Sequence, residues 1–262
     1  MPVELVRLEL RLRRRMLLGT GFGAMAYLLL IVLMYPSFRG DTSLNSMLSS
    51  NPGAAAAFGI TGSITSPAGW LNGNMYANFG PLLALLLSIG YGAAAIAGQA
   101  ADGTLGLVAT LPLGRTRIAA AKLLALVLVA AVVPIASYLP CLLGPHFQLY
   151  PNWSALAWTS VALGLLAFDL GALALWLGAV TGSRGLALGV SAAAAAAAYL
   201  LSSLAPLVHA LRGPRRLSPF YWAVGNDQLA RGVPPAALVA LAGLGMVLAG
   251  AAVPAFRRLD LQ

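Results

Sequence analysis

The chain has 262 residues, of which 60% are hydrophobic and only 9% are charged, and its formal net charge is +9. This composition excludes an ordinary soluble domain, in which about a quarter of the residues are charged, and no polar stretch is long enough to bury a core of its own. The positive charge does not indicate a nucleic-acid partner, because it lies at the ends of apolar runs rather than on a basic face.

The apolar residues fall into six runs of about 20 residues, the length that a helix needs to cross a bilayer. We therefore predict an all-α, polytopic membrane protein with six transmembrane helices and a single domain over residues 1–262. Pro36 is expected to close the first helix, and Pro234 and Pro235 to open the sixth. The predicted spans cover about residues 17–35, 76–98, 123–143, 155–180, 185–207 and 236–255.

The orientation is predicted from the lysines and arginines in the connecting segments, which are enriched on the cytoplasmic side. With the N-terminus inside, eleven of these cations lie inside and five outside. Both termini are then cytoplasmic, with an N-terminal segment at 1–16 and a short tail at 256–262. Fifteen of the sixteen cations are arginine, a bias typical of high-GC bacterial genes. We expect a multi-pass protein in contact with lipid in a bacterial inner membrane.

Small residues form two helix surfaces that another helix could approach closely. Gly19 and Gly23 are four residues apart in the first span, and residues 192–198 of the fifth span are all alanine, including Ala194 and Ala198. Such surfaces are typical of helix contacts in membranes. They are candidates for a dimer interface; the alternative is packing within one chain. The outer loop 36–75 also holds a mildly apolar stretch, AAAAFGI, which is predicted to lie at the membrane surface as a short helix.

The segment between the second and third spans carries the most regular polar pattern of the chain. Asp102, Gly103 and Thr104 predict a turn and a helix start. The apolar residues that follow recur every three positions, which places them on one face of a short helix that Pro112 ends. This segment is either a handle for a soluble partner or a basic loop that only sets topology. Those apolar residues are Leu105, Val108 and Leu111, and Arg115, Arg117 and Lys122 come after them.

The same stretch, ADGTLGLVATLPLGRTRIAAAKLL, resembles the coupling segment of bacterial ABC-2 type exporter permeases. In that family a Gly-Thr-Leu, a leucine-rich stretch, a proline, an arginine and a lysine follow the second span in this order. The stretches LSPFYWAVGND and FRRLDLQ resemble those before and after the last span. The chain departs from the family at one point. Glutamates usually precede the Gly-Thr pair, whereas here only Asp102 is acidic, so a second, different permease could supply the missing acid.

The resemblance implies the membrane-spanning permease subunit of an ATP-driven ABC exporter. Its cargo would be a hydrophobic or amphipathic small molecule, such as a drug or an antibiotic. It would pair with a second copy or a paralogous permease, and bind two copies, or a related pair, of a cytoplasmic ABC ATPase through the coupling segment, residues 99–117, and Lys122. The residues assigned to coupling are Asp102, Gly103, Thr104, Leu105, Val108, Leu111, Pro112, Arg115 and Lys122.

The chain itself is not expected to be an enzyme. It has no Gly-x-x-x-x-Gly-Lys-Ser/Thr loop for nucleotide phosphates, so ATP and Mg²⁺ are expected in the partner ATPase. We predict no cofactor and no metal site in this chain.

Asp169 is the one acidic residue within the predicted spans, and a carboxylate inside a membrane suggests a functional site. It is a candidate for the translocation path, where it would bind a cation, a proton or a substrate amine, or pair with an arginine of another chain. The alternative is a carboxyl that is kept protonated or is bonded to a neighbouring helix. Two other functions therefore stay open: a cation- or proton-coupled secondary transporter that uses Asp169, and a non-transporting assembly or sensor subunit.

Overall fold

A computed structural model gives the fold of residues 2–51, 53, 63–103, 114–205, 208–211, 213–225 and 227–258. Throughout these ranges the regular structure is helical and contains no strand. Six helical segments are long and apolar enough to cross a membrane, which confirms the predicted fold class. We number them as spans 1 to 6, in the order Glu4–Phe38, Pro67–Ala101, Arg115–Phe147, Trp153–Thr181, Arg184–Leu204 and Pro235–Arg258.

Span 1 belongs to one unbroken helix, Pro2–Phe38, which is longer than predicted at both ends. The predicted separate N-terminal segment continues the helix of the span, and its Leu5 and Leu10 pack against the core. The prediction that Pro36 closes the helix is wrong, because the helix runs two residues beyond it. Pro36 has no N–H to donate to the carbonyl oxygen of Val32, four residues earlier, so it costs the helix one backbone hydrogen bond near its end without terminating it. A short helix, Thr42–Ser50, follows.

Span 2 begins at Pro67, earlier than predicted, and so includes the last part of the predicted outer loop. Ser66 caps its first turn, since the Ser66 side chain accepts a hydrogen bond from the N–H of Gly69 at 3.0 Å. The span contains two π-helical turns. Each π turn contains one extra residue, so the side chains that follow it point in directions different from those in an unbroken α-helix. Its segments are Pro67–Leu71, Asn72–Tyr76, Phe79–Ala93, Ala94–Gly98 and Gln99–Ala101.

Spans 3 and 4 follow the predicted order and differ from the prediction mainly at their ends. Span 3 is an α-helix over Arg115–Tyr138 that continues as a 3₁₀ helix over Leu139–Phe147. Span 4 starts after Asn152, whose side chain accepts a hydrogen bond from the N–H of Ala155 at 3.2 Å. It ends at Gly182, which adopts the left-handed conformation (φ +63°) that favours glycine after a helix.

Span 5 starts after Ser183, whose hydroxyl accepts a hydrogen bond from the N–H of Leu186 at 3.3 Å. It ends at Leu204, three residues before the predicted boundary. Span 6 begins at Pro235, as predicted, and runs to Arg258. Short helices between these two spans are His209–Leu211, Pro214–Leu217, Pro219–Ala223 and Gln228–Arg231.

Span 4 is the centre of the bundle and packs against spans 2, 3, 5 and 6. It approaches span 2 closely, because a Cβ added to Gly92 would collide with the carbonyl oxygen of Gly171. Association of helices in lipid depends on such packing, because lipid tails are as apolar as the side chains they replace. The outward faces of spans 1 and 6 carry large exposed apolar side chains, among them Phe22, Val239 and Met246, which suit contact with lipid.

One end of the bundle gathers segments that are far apart in sequence. The N-terminal part of span 1 meets the end of span 2 and the start of span 3, as described below. Arg184, at the start of span 5, lies beside Gly98, and Arg115 donates a hydrogen bond to the carbonyl oxygen of Arg257 at 2.9 Å. The described parts of both chain ends therefore share one side of the bundle, which we call the charged end, and the opposite side is the far end.

At the far end, hydrogen bonds order the connection between spans 1 and 2. The Asn45 amide donates to the hydroxyl of Thr65 at 2.8 Å, and the Tyr35 hydroxyl donates to the Thr65 carbonyl oxygen at 3.0 Å. Asp41 accepts hydrogen bonds from the hydroxyl and the N–H of Ser43, which hold the pKa of the Asp41 carboxyl below its usual value. The helix predicted for residues 54–60 lies outside the described residues.

Candidate functional site

Three polar side chains from three different spans meet at the charged end. The Lys122 ammonium donates to Oε1 of Glu9 at 2.7 Å and to Oε1 of Gln99 at 2.6 Å. The Gln99 amide donates to the same Glu9 oxygen at 2.9 Å, which closes a triangle of hydrogen bonds. The Lys122 side chain is 3% exposed and that of Glu9 is 10% exposed. We call Glu9, Gln99 and Lys122 the polar triad.

The electrostatics of the polar triad make each member depend on the others. A buried charge is strongly unfavourable unless it is paired and hydrogen-bonded. Gln99 suits the position between the two ions, because one amide carries both a donor and an acceptor. The second carboxylate oxygen of Glu9, Oε2, is buried and has no hydrogen-bond partner within the described ranges. Loss of either ion would therefore leave the other charge buried with little compensation.

Two further contacts at this point join span 2 to span 3 and span 1 to span 2. The Tyr91 hydroxyl of span 2 donates to the backbone carbonyl of Lys122 at 3.1 Å. Arg13, one turn beyond Glu9, places its guanidinium 4.8 Å from the centroid of the Tyr91 ring, a cation–π contact. The π turn Ala94–Gly98 directly precedes Gln99 and so sets the direction of its side chain.

The coupling segment is described only at its two ends. Asp102 follows the last helical residue of span 2. Gly103 has φ +68°, and its N–H bonds the carbonyl of Ala100 at 3.1 Å, as is common where a helix ends. The predicted turn at Asp102 and Gly103 is thus present. The predicted helix lies outside the described residues, with Thr104, Leu105, Val108, Leu111 and Pro112.

Arg115 and Lys122 both lie where the sequence analysis expected them, at the start of span 3, but their partners are within the protein. Arg115 bonds the Arg257 carbonyl in the last turn of span 6, where helix carbonyls lack intrahelical partners and a cation is favourable. Lys122 is buried in the polar triad, so it does not present its charge to a soluble ATPase.

Glu9 is the site residue that the sequence analysis missed, and Gln99, the first residue of the predicted coupling segment, was given no role of its own. A signal for Glu9 was present in the stretch LVRLELRL, where an acid stands between two leucines of a helix rich in arginine. An acidic residue in such surroundings often has a buried cationic partner, because an unpaired charge is costly there. The partner itself was not readable, since Lys122 is 113 residues away.

A groove of about 790 Å³ runs along span 2 between spans 1 and 5. Towards the far end its wall is polar but uncharged: the Tyr199 hydroxyl donates to Oδ1 of Asn78 at 2.7 Å, and the Tyr27 hydroxyl donates to the Asn74 carbonyl at 3.1 Å. No charged side chain lines it among the described residues. Its apolar wall includes Leu82, Leu85, Leu86, Ile89, Leu188, Ala192 and Ala196. A second, apolar groove of about 550 Å³ lies on spans 3, 4 and 6.

Asp169 lies in span 4, as predicted, and is fully buried. Neither of its carboxyl oxygens has a hydrogen-bond partner in the part of the chain that the structure describes. The carboxyl faces span 6, where a Cβ added to Gly245 would lie 2.5 Å from Oδ1. It lines neither of the two grooves. Its setting is the contact between spans 4 and 6, where it fills the space that a glycine leaves.

The small residues of spans 1 and 5 differ in their surroundings. Gly19 and Gly23 lie on the exposed side of span 1, and a Cβ added to either would meet no described atom within 4 Å. Ala194 and Ala198 are half-buried. Span 1 packs mainly against span 3, and span 5 mainly against span 4. Packing within one chain therefore does not account for Gly19 and Gly23.

The six helices, each long and apolar enough to cross a membrane, indicate a multi-pass membrane protein. Residues 3–221, which include spans 1 to 5, match the family described as ABC-2 family transporter protein. The match covers well over half of the chain, and the chain belongs to this family, as a permease subunit whose membership implies an ABC ATPase partner. A search of curated proteins found no match.

Proposed function

We propose that this chain forms, with a second copy or a related permease, the membrane path of an ATP-driven exporter for a hydrophobic or amphipathic small molecule. It crosses a bacterial inner membrane with the charged end, and hence both termini, in the cytoplasm. ATP and Mg²⁺ bind to a separate ATPase. The observation that carries the proposal is the largely apolar groove along span 2 in a chain of this family.

The lining of the groove supports the class of substrate. Ligand sites are mostly apolar with a few placed polar groups that fix orientation. Here the leucines and alanines offer an apolar wall, while Asn78 and Tyr199 offer an amide and a hydroxyl towards the far end. A sugar would find few hydrogen-bonding groups and an ion no opposite charge among the lining residues. A molecule with an apolar body and one uncharged polar group fits this wall.

The small-residue surfaces support pairing of two permeases across this groove. Tyr27 lines the groove, and Gly23 lies four residues before it, on the same face of span 1. On the other edge, Ala192 and Ala196 of span 5 belong to the lining, in the same alanine run as Ala194 and Ala198. A second permease that docks on these surfaces would cover the groove along span 2. The corresponding grooves of the two permeases would then join into one path.

The link to the ATPase rests on the coupling segment. Leu105, Val108 and Leu111 would place one apolar helix face in a cleft of the ATPase, a common mode of helix recognition. The test uses a tagged chain, purified in detergent, and the ABC ATPase that co-purifies with it, identified by its phosphate-binding loop. Val108→Glu would bury a carboxylate without a partner, which costs several kcal/mol. We expect it to lose the ATPase while it still inserts into the membrane.

Thr110→Glu is the matched control, because residue 110 lies on the opposite face of a helix through 105, 108 and 111. This variant should retain the ATPase. If the native chain retains no ATPase, or if Val108→Glu retains it as well as Thr110→Glu does, the coupling role is wrong. Basal and permease-stimulated ATP hydrolysis by the purified complex provide the second measurement.

A second candidate function is a cation- or proton-coupled secondary transporter, and the observation that favours it is the fully buried, unpartnered carboxyl of Asp169. The discriminating measurement is efflux of an uncharged lipophilic dye such as Nile red from cells. Efflux that persists without the ATPase and is lost in Asp169→Asn supports this candidate. Efflux that needs the ATPase and survives Asp169→Asn supports the exporter. A sensor or assembly subunit would give no flux under either condition.

A further inference from the structure

The polar triad stands at the two bases of the coupling segment. Gln99 is the first residue after the π turn of span 2, and Lys122 lies two turns into span 3. Their side chains are bonded to each other at 2.6 Å, and both are bonded to Glu9 of span 1. The segment that leaves the membrane at Gln99 and re-enters before Lys122 is thus clamped to a helix that is not its neighbour in sequence.

We propose that Glu9, Gln99 and Lys122 form a positioning site that makes span 1 move with both bases of the coupling segment, so that an ATPase-driven displacement of the segment reaches the substrate groove. This inference rests on the proposed function, since it supposes an ATPase that grips the segment. It assigns to Glu9 and Lys122 a role in transmission rather than in contact with the ATPase.

The charges explain why the contact transmits movement instead of yielding to it. If Lys122 moved away from Glu9, each ion would stay buried without its partner, the least favourable arrangement for such a pair. The Tyr91 hydroxyl on the Lys122 carbonyl and the Arg13 guanidinium on the Tyr91 ring hold the same three spans. When the coupling segment is displaced, span 1 therefore moves with it, because breaking these contacts costs more free energy.

Span 1 connects this site to the groove. It is one continuous helix from Pro2 to Phe38, and Tyr27, which lines the groove, lies about 27 Å along its axis from Glu9 at 1.5 Å per residue. Gly23, one turn earlier, lies on the surface that we assign to the second permease. A rigid helix held at Glu9 thus carries a shift at the charged end to both the path and the dimer contact.

The test separates binding of the ATPase from its coupling. Glu9→Gln and Lys122→Met each break the ion pair while they keep the size and apolar stem of the side chain. In the purified complex we expect both variants to retain the ATPase, because the coupling segment is unchanged. Permease-stimulated ATP hydrolysis should fall about tenfold, the scale of an ordinary coupling free energy between sites. Glu4→Gln is the matched control on the exposed side of the same helix and should behave as the native chain does.

Two rescue variants distinguish positioning from simple packing and remain informative if a single variant fails to insert. The exchange of Glu9→Lys with Lys122→Glu restores the pair, since the Gln99 amide can serve either arrangement. In a Cys141→Ser background, Glu9→Cys with Lys122→Cys can be joined by a short bismaleimide, which the cavity of about 540 Å³ beside the pair admits. Both variants should recover permease-stimulated ATP hydrolysis, because a positioning role requires only that span 1 stays joined to span 3.

The outcomes are separable from those of the proposed function. If no ATPase co-purifies with the native chain, the proposed exporter function itself is wrong. Single variants that retain the ATPase and stimulate hydrolysis as the native chain does overturn the positioning role. A bridged variant that retains the ATPase but stimulates no better than its unbridged form overturns it as well.

Discussion

The contact between Gly92 of span 2 and Gly171 of span 4 gives the sharpest prediction about the bundle. In Gly92→Ala the new Cβ would collide with the Gly171 carbonyl oxygen and lie 3.0 Å from the Leu175 backbone nitrogen. Both neighbours are backbone atoms of the central helix, so the two spans must separate. Overpacking of this kind costs roughly 1–3 kcal/mol, and we expect the upper half of that range because no flexible side chain can yield.

Gly90→Ala is the matched control. Gly90 lies in the same helix, two residues earlier, and a Cβ there meets no described atom within 4 Å, so the change should gain up to about 1 kcal/mol from helix propensity. At about 2–4 °C per kcal/mol for a protein of this size, Gly92→Ala should melt roughly 4–16 °C below Gly90→Ala.

The chain carries its own reporter for this comparison. Cys141 is the single cysteine and is fully buried, so a thiol-reactive dye will label it only as the bundle opens on heating in detergent. If Gly92→Ala melts with Gly90→Ala or above it, the close approach of spans 2 and 4 at this glycine is wrong.

Three further predictions concern spans 6 and 1 and the topology. Gly245→Ala should lower the melting temperature, because its Cβ would lie 2.5 Å from Asp169 Oδ1, whereas Gly243→Ala, which faces open space, should not; equal melting would contradict the packing described for Asp169. Gly23→Leu should separate the permease pair in cross-linking and light scattering without a loss of thermal stability, and a variant that still pairs removes span 1 from the interface. Gln262→Cys in a Cys141→Ser background should react with an impermeant maleimide only after permeabilisation, and labelling of intact cells would place the C-terminus outside.

The number, order and approximate position of the spans were readable from the sequence. Each needs about 20 consecutive apolar residues to cross the hydrocarbon, a one-dimensional requirement that local composition reveals. The starts of spans 4 and 5 at Asn152 and Ser183 follow from equally local rules, since both residues cap a helix through their own side chains. The family resemblance rested on the same kind of local signal, an order of small motifs along the chain.

The boundaries that failed did so because tertiary contacts overrode local signals. Leucines that pack on the core carry the first helix back to Pro2, and Pro36 does not stop it. The two π turns of span 2 have no clear signature in composition, because they arise from the fit of one helix against its neighbours.

The site shows the same division between what the sequence determined and what the fold decided. Sequence alone placed Lys122 at the start of span 3 and Asp169 inside span 4, because a charge in an apolar run is conspicuous. The sequence did not show that Lys122 has a carboxylate partner 113 residues away. Nor did it show that the Asp169 carboxyl has no hydrogen-bond partner among the described residues. A partner depends on which faces of which helices come together, and in a bilayer that choice is made by close packing over whole helices. The residues next to a charge in the sequence therefore do not indicate which partner it will have.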